Sequence, residues 1–176
     1  MLHRRGGGTD QLTPNRPNRV GVALYEPDDS GLTRFGQHIV QEMNRLGMVI
    51  DLSHVGNRTC RDAIEFSAQP VAITHSNPTW FFDTPRNKPT DVIEALAARD
   101  GVIGACLYPN VIGGEHTTRK DFSLMVARLV DEVGPRHVAI GTDCTLGWDD
   151  DYVGWLRNGR WRPPAGACNW PPCPPG

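Results

Sequence analysis

Met48-Val49-Ile50-Asp51-Leu52-Ser53-His54 and Pro70-Val71-Ala72-Ile73-Thr74-His75 are two short apolar runs, each closed by a histidine. Runs of this length, bounded by turn-forming residues, read as buried parallel strands. A side chain at the carboxyl end of such a strand stands on the face where α/β folds keep their ligands. Two histidines delivered there by successive strands are placed to share one metal ion.

Working outward, the same unit repeats. Leu32, Phe35, Ile39, Met43 and Leu46 recur at three- and four-residue steps, predicting a helix over 32–46 that Gly47 ends. A helix is expected near 59–67, and another at about 90–99 with Thr90 as its N-cap and Val92, Ile93, Leu96 and Ala97 on one face. Strand 101–108 leads through a Gly-rich loop to a helix at about 119–133, and strand 137–142 ends at Asp143. A further strand is expected at Val20 to Leu24. Strand, loop, helix, repeated, predicts an α/β fold with a parallel sheet and right-handed crossovers. Residues 1–18 read as a disordered leader, 19–147 as the folded part, and 148–176 as a Pro- and Trp-rich irregular tail.

The bulk properties narrow the function. The chain has 176 residues, 39% hydrophobic, enough for one cored domain. A net charge of −2 gives no reason to expect a nucleic acid or an anionic membrane as partner. The apolar stretches fall far short of the ~20 residues of a membrane helix, and no secretory signal opens the chain. Five cysteines at irregular spacing favour reduced thiols and a cytoplasmic setting. Cys168 and Cys173 stand in a C-x4-C arrangement, a weak metal motif on its own.

The predicted strands deliver His54, His75, Tyr108 and Asp143 at their carboxyl ends. Neutral imidazole suits Zn²⁺ and similar ions, and an aspartate supplies a ligand or a general base. One strand-end histidine is more often a satisfied polar residue than a ligand. Two in register, followed by Asp143, tip the balance toward a site. The bland readings are a turn or cap for Asp143, a solvated loop residue for Arg86, and a surface place for His38. Asp51 falls on the strand face opposite Ile50 and Leu52 and reads as structural. His116 in a loop and His137 at the wrong end of its strand read as structural too.

Taken together, Gly31-Leu32-Thr33-Arg34-Phe35-Gly36, Met43-Asn44-Arg45-Leu46-Gly47, Ile50-Asp51-Leu52-Ser53-His54, Ala72-Ile73-Thr74-His75-Ser76-Asn77, Arg86-Asn87, Gly101-Val102-Ile103-Gly104 and Ile140-Gly141-Thr142-Asp143 resemble the renal (membrane) dipeptidase family of zinc peptidases. The resemblance covers roughly residues 20–147. It implies a (β/α)8 TIM barrel, two zinc ions bridged by a glutamate, and hydrolysis of dipeptides, some with a D-residue at the C-terminal side. It implies that His54 and His75 are ligands of the second zinc and that Arg86 holds the substrate carboxylate. Asp143 engages the substrate amine and assists proton transfer. A homodimer is implied as well.

The departures are specific. No H-x-D, the family's source of ligands for the first zinc, occurs in the chain, and Glu26 does not match the bridging glutamate. A full barrel takes at least ~200 residues. The expectation is therefore a partial barrel with its N-terminal strands missing, at most one partial zinc site, and low or no dipeptidase activity alone. The competing readings are a non-catalytic remnant that needs a partner chain, and another amidohydrolase-like metal hydrolase. The second fits the residues around His54, His75 and Arg86 less well.

Overall fold

A computed structural model describes residues 8–13, 17–113 and 117–143. The chain divides after Asp143. The expected tail at 148–176, His116, Cys144, Cys168 and Cys173 lie outside the described residues.

Five strands form one sheet: β1 (Thr9–Gln11), β2 (Val49–Asp51), β3 (Ala72–Ile73), β4 (Val102–Ala105) and β5 (Val138–Ile140). Every pairing is parallel and the spatial order is β1-β2-β3-β4-β5. Each strand lies beside its neighbour in sequence, as in the wall of a (β/α) barrel; a doubly wound sheet would reverse its order at a switch point. The helices α1 (Arg34–Leu46), α2 (Asn57–Phe66), α3 (Thr90–Ala98), α4 (Pro109–Ile112) and α5 (Arg119–Val133) fall between the strands. No helix among the described residues is long and apolar enough to cross a membrane.

Local chemistry sets the helix ends. The Thr33 hydroxyl accepts from Gly36 N and starts α1. Gly47 ends it at φ 67°, a left-handed conformation that costs glycine nothing. Thr118 and Asp121 form a reciprocal capping box at α5. Thr90, expected as the cap of α3, is instead its first residue, after Pro89. The core joins Val40 and Met43 of α1 and Ile64 of α2 to Val92, Ile93 and Leu96 of α3 against Ile50, Leu52, Ile73 and Ile103.

Three expectations are corrected. Residues 9–11, placed in a leader without structure, form β1, which pairs with all three residues of β2. Its polar composition, Thr-Asp-Gln, hides a strand from hydropathy. Residues 20–24 contribute no sheet strand. Ala23 makes one antiparallel bridge to Val55, and Leu24 N donates to the His54 carbonyl, so the segment crosses the loop that follows β2. The short helix α4 lies where only a Gly-rich loop was expected.

Candidate metal and active site

His54 and His75 follow β2 and β3 at their carboxyl ends, and the parallel pairing of the two strands brings the rings together. The Nε2 atoms are 2.9 Å apart, with ring centroids at 5.0 Å and planes inclined by 58°. Asp143, beyond β5, places Oδ1 3.9 Å from His75 Nε2. That is too long for a hydrogen bond and within the reach of a small bridging species. Three of the four strand-end residues picked from the sequence thus converge. Tyr108 stands at the N-cap position of α4.

The environment keeps both imidazoles neutral. Burial, the Arg86 charge and the neighbouring His75 push the His54 pKa down to about 3. Burial also lowers that of His75, against the opposing pull of Asp143. A neutral imidazole offers a lone pair. Two nitrogens on one zinc ion at ~2.05 Å and a tetrahedral angle stand ~3.3 Å apart, so the pair at 2.9 Å needs to open by only a few tenths of an ångström. The donor set therefore fits half of a zinc site. Among the described residues no group of three or more such ligands occurs.

Arg86 is not a solvated loop residue. It is buried, its Nη1 donates to the Ser53 carbonyl at 2.6 Å, and its Nη2 donates to the His75 carbonyl at 3.2 Å. The guanidinium thus ties together the backbones that carry the two histidines, and burial lowers its pKa. The loop that holds Arg86 is itself built. Asn77 Nδ2 donates to the Cys106 and Val111 carbonyls, Cys106 N donates back to Asn77 Oδ1, and Asn87 Oδ1 accepts from Asn77 N. These bonds bind the segment 76–89 to the end of β4.

Below the rings lies a buried carboxylate. Asp51 Oδ1 accepts from Ser53 N (3.0 Å), Ser53 Oγ (2.5 Å) and Thr74 N (3.1 Å). Its Oδ2 accepts from Thr74 Oγ1 (2.8 Å) and Gln11 Nε2 (2.9 Å). Burial raises the Asp51 pKa, but the bonds from Ser53, Thr74 and Gln11 outweigh it and hold the group below its usual value. Thr74 Oγ1 lies 2.7 Å from His75 Nδ1, and His75 N donates to Ser53 Oγ.

Lys88 is fully enclosed, with Nζ donating to the Val55 carbonyl beside the buried Cys60. Cys60 is a free, buried thiol, and Cys106 is buried at the end of β4. His38 is exposed on α1, and His137 Nδ1 contacts the Gly101 carbonyl at the far end of the sheet. The sequence assigns no role of their own to Ser53, Thr74, Asn77, Asn87 and Lys88. Their signal is position, close to the strand-end histidines and Arg86.

Comparison with known proteins identifies the family and the fold. Residues 12–155 match the family described as membrane dipeptidase (peptidase family M19). A dipeptidase, aclJ, of Aspergillus oryzae is 34% identical over 81% of this chain and 35% of its own length. The structure of an amidohydrolase from Pseudomonas aeruginosa superposes with a TM-score of 0.81 and 35% identity, covering 88% of this chain and 48% of that one. A metallopeptidase from Rhodobacter sphaeroides, solved with a phosphinate mimic of the dipeptide L-Ala-D-Ala, gives a TM-score of 0.72 at 25% identity over 81% of this chain and 44% of that one. The chain spans 28 to 35% of the length of the curated dipeptidases it matches and under half of these two solved chains.

Proposed function

The chain belongs to the membrane dipeptidase family, and from that premise we propose that it carries the second-zinc half of a dipeptidase active site. The observation that carries the reading is the 2.9 Å approach of His54 and His75 Nε2, with the Asp143 carboxylate 3.9 Å from the latter. His54 and His75 hold the ion through neutral imidazoles. A zinc ion bound there supplies Lewis acidity toward the scissile carbonyl.

The chain's own residues do the rest. Asp143, exposed at the mouth of the strand ends, accepts a hydrogen bond from the substrate's amine, takes a proton from the attacking water and passes it to the leaving nitrogen. Arg86 has five N–H donors, of which two are committed to the Ser53 and His75 carbonyls. The outer N–H groups of the fork take the substrate's terminal carboxylate. The substrate class is a dipeptide, including those with a D-residue at the C-terminal side. The phosphinate mimic of L-Ala-D-Ala in the Rhodobacter sphaeroides relative supports this.

A catalytic zinc takes three protein ligands and a water, so two imidazoles form an incomplete site. We infer that further ligands come from outside the described residues, from other segments or from a partner chain such as a second copy. Zinc titration of the full chain tests the reading. Expected is weak binding that His54→Ala and His75→Ala abolish, with turnover of Gly-D-Phe far below that of an intact relative. Zinc binding indifferent to both substitutions would overturn it.

A further inference from the structure

The tautomer of His75 is dictated from behind by the Thr74 hydroxyl. The Thr74 hydroxyl has one proton and three close neighbours: Asp51 Oδ2 at 2.8 Å, His75 Nδ1 at 2.7 Å and Ser53 Oγ at 3.1 Å. Asp51 is a carboxylate and can only accept. Ser53 Oγ spends its own proton on Asp51 Oδ1 at 2.5 Å and receives that of His75 N. The Thr74 proton therefore goes to Asp51. What Thr74 offers His75 is a lone pair, and the contact at 2.7 Å is made only if Nδ1 carries hydrogen.

From this we propose that Asp51, acting through Thr74, is a positioning residue that fixes His75 as the Nδ1–H tautomer and presents its bare Nε2 to the metal position. The proposal rests on the reading of His75 as a metal ligand. Carboxylates that orient ligand histidines from behind are a general device of metal sites. Here the carboxylate reaches the ring through an intervening hydroxyl.

Gln11 Nε2 on Asp51 Oδ2 adds a second support from β1. It leaves the carboxylate anchored when Thr74 is changed. Thr74→Val deletes the hydroxyl while keeping the side-chain shape and the backbone N–H that serves Asp51 Oδ1. Thr74→Ser keeps the hydroxyl.

The test is nitrogen NMR of the full ¹⁵N-labelled chain, freed of metal with a chelator, at about pH 8, above the ordinary imidazole range. The His75 ring is assigned by loss of its signals in His75→Asn, and backbone amide spectra verify that each variant is folded. Expected in the unsubstituted chain is a protonated Nδ1 and a bare Nε2 at His75. Thr74→Val should turn His75 into a tautomer mixture and weaken Zn²⁺ binding by about 10–100-fold, and Thr74→Ser should restore both. An Nε2–H ring at His75 in the unsubstituted chain, or a tautomer unmoved by Thr74→Val, overturns the proposal. If the tautomers behave as expected but added Zn²⁺ shifts neither ring, the positioning stands and the metal reading alone fails.

Discussion

Lys88→Met should make this protein more stable, although it deletes a hydrogen-bonded lysine. The side chain is fully buried, and no carboxylate lies within ion-pair distance of it among the described residues. Its partners are the Val55 carbonyl and the Cys60 thiol, whose pKa burial raises, so the thiol stays neutral. Burying an ammonium costs several kcal/mol even after relaxation. Against this, methionine leaves Val55 O with only the Cys60 Sγ contact at 3.5 Å, a loss of about 1–3 kcal/mol. Methionine fills nearly the same volume, so no cavity term enters.

The net expectation is a gain of roughly 1–3 kcal/mol at neutral pH, read as a higher urea midpoint at unchanged m-value. The pH dependence gives an independent check. Burial lowers the folded-state pKa of Lys88 below its usual 10.5. Between the folded value and 10.5 the unfolded chain holds a proton that the folded chain has released, so the unsubstituted protein gains stability as pH rises through that window. Lys88→Met lacks that gain, and its advantage shrinks toward alkaline pH. A variant destabilised by more than 2 kcal/mol, or an advantage that does not change with pH, would refute the desolvation argument.

Asp51→Ala strands four donors from Ser53 and Thr74 in the interior; a loss of about 3–5 kcal/mol is expected by urea unfolding. Because the Asp51 pKa is held below 3.8, its stabilisation is complete above that value and is lost as pH falls through the folded pKa, so acid unfolding should begin at higher pH in the variant. Gly104→Ala would place a Cβ 2.0 Å from the Thr74 carbonyl oxygen, a backbone atom that cannot swing away. It should cost at least ~3 kcal/mol and disturb the His75 ring signals. Arg86→Lys keeps the charge but reaches only one of the Ser53 and His75 carbonyls. Roughly 2 kcal/mol should be lost, with weaker Zn²⁺ binding by titration; an unchanged midpoint would argue against the clamp.

Much of this was readable along the chain. The runs that end at His54 and His75 are apolar because β2 and β3 are covered, and their period announced parallel strands. The helix α1 was legible because Ile39, Met43 and Leu46 pack on the core and Gly47 marks its end, although Phe35, expected on the same face, is exposed. β1 was not, because Thr9-Asp10-Gln11 has neither apolar content nor alternation; it is a strand only because the edge of β2 offers it hydrogen bonds. Val20 to Leu24 failed in the opposite direction, its apolar residues serving a crossing over the loop after β2 rather than a place in the sheet. Arg86 carries charge and by itself read as a solvated loop residue, and Lys88 drew no reading; their burial comes with backbone carbonyls that no local pattern displays.

The sequence by itself determined which residues end the strands, hence that His54, His75 and Asp143 stand on one face, because parallel strands in a repeated strand–helix unit all present their carboxyl ends together. Tertiary structure alone decided the distances and the protons. The 2.9 Å between two imidazoles depends on the register of β2 against β3, and the state of His75 depends on where Asp51 meets Thr74. The reason is physical: chain order specifies faces and periods, whereas hydrogen-bond direction and burial are properties of groups far apart in sequence and set only when the strands pair.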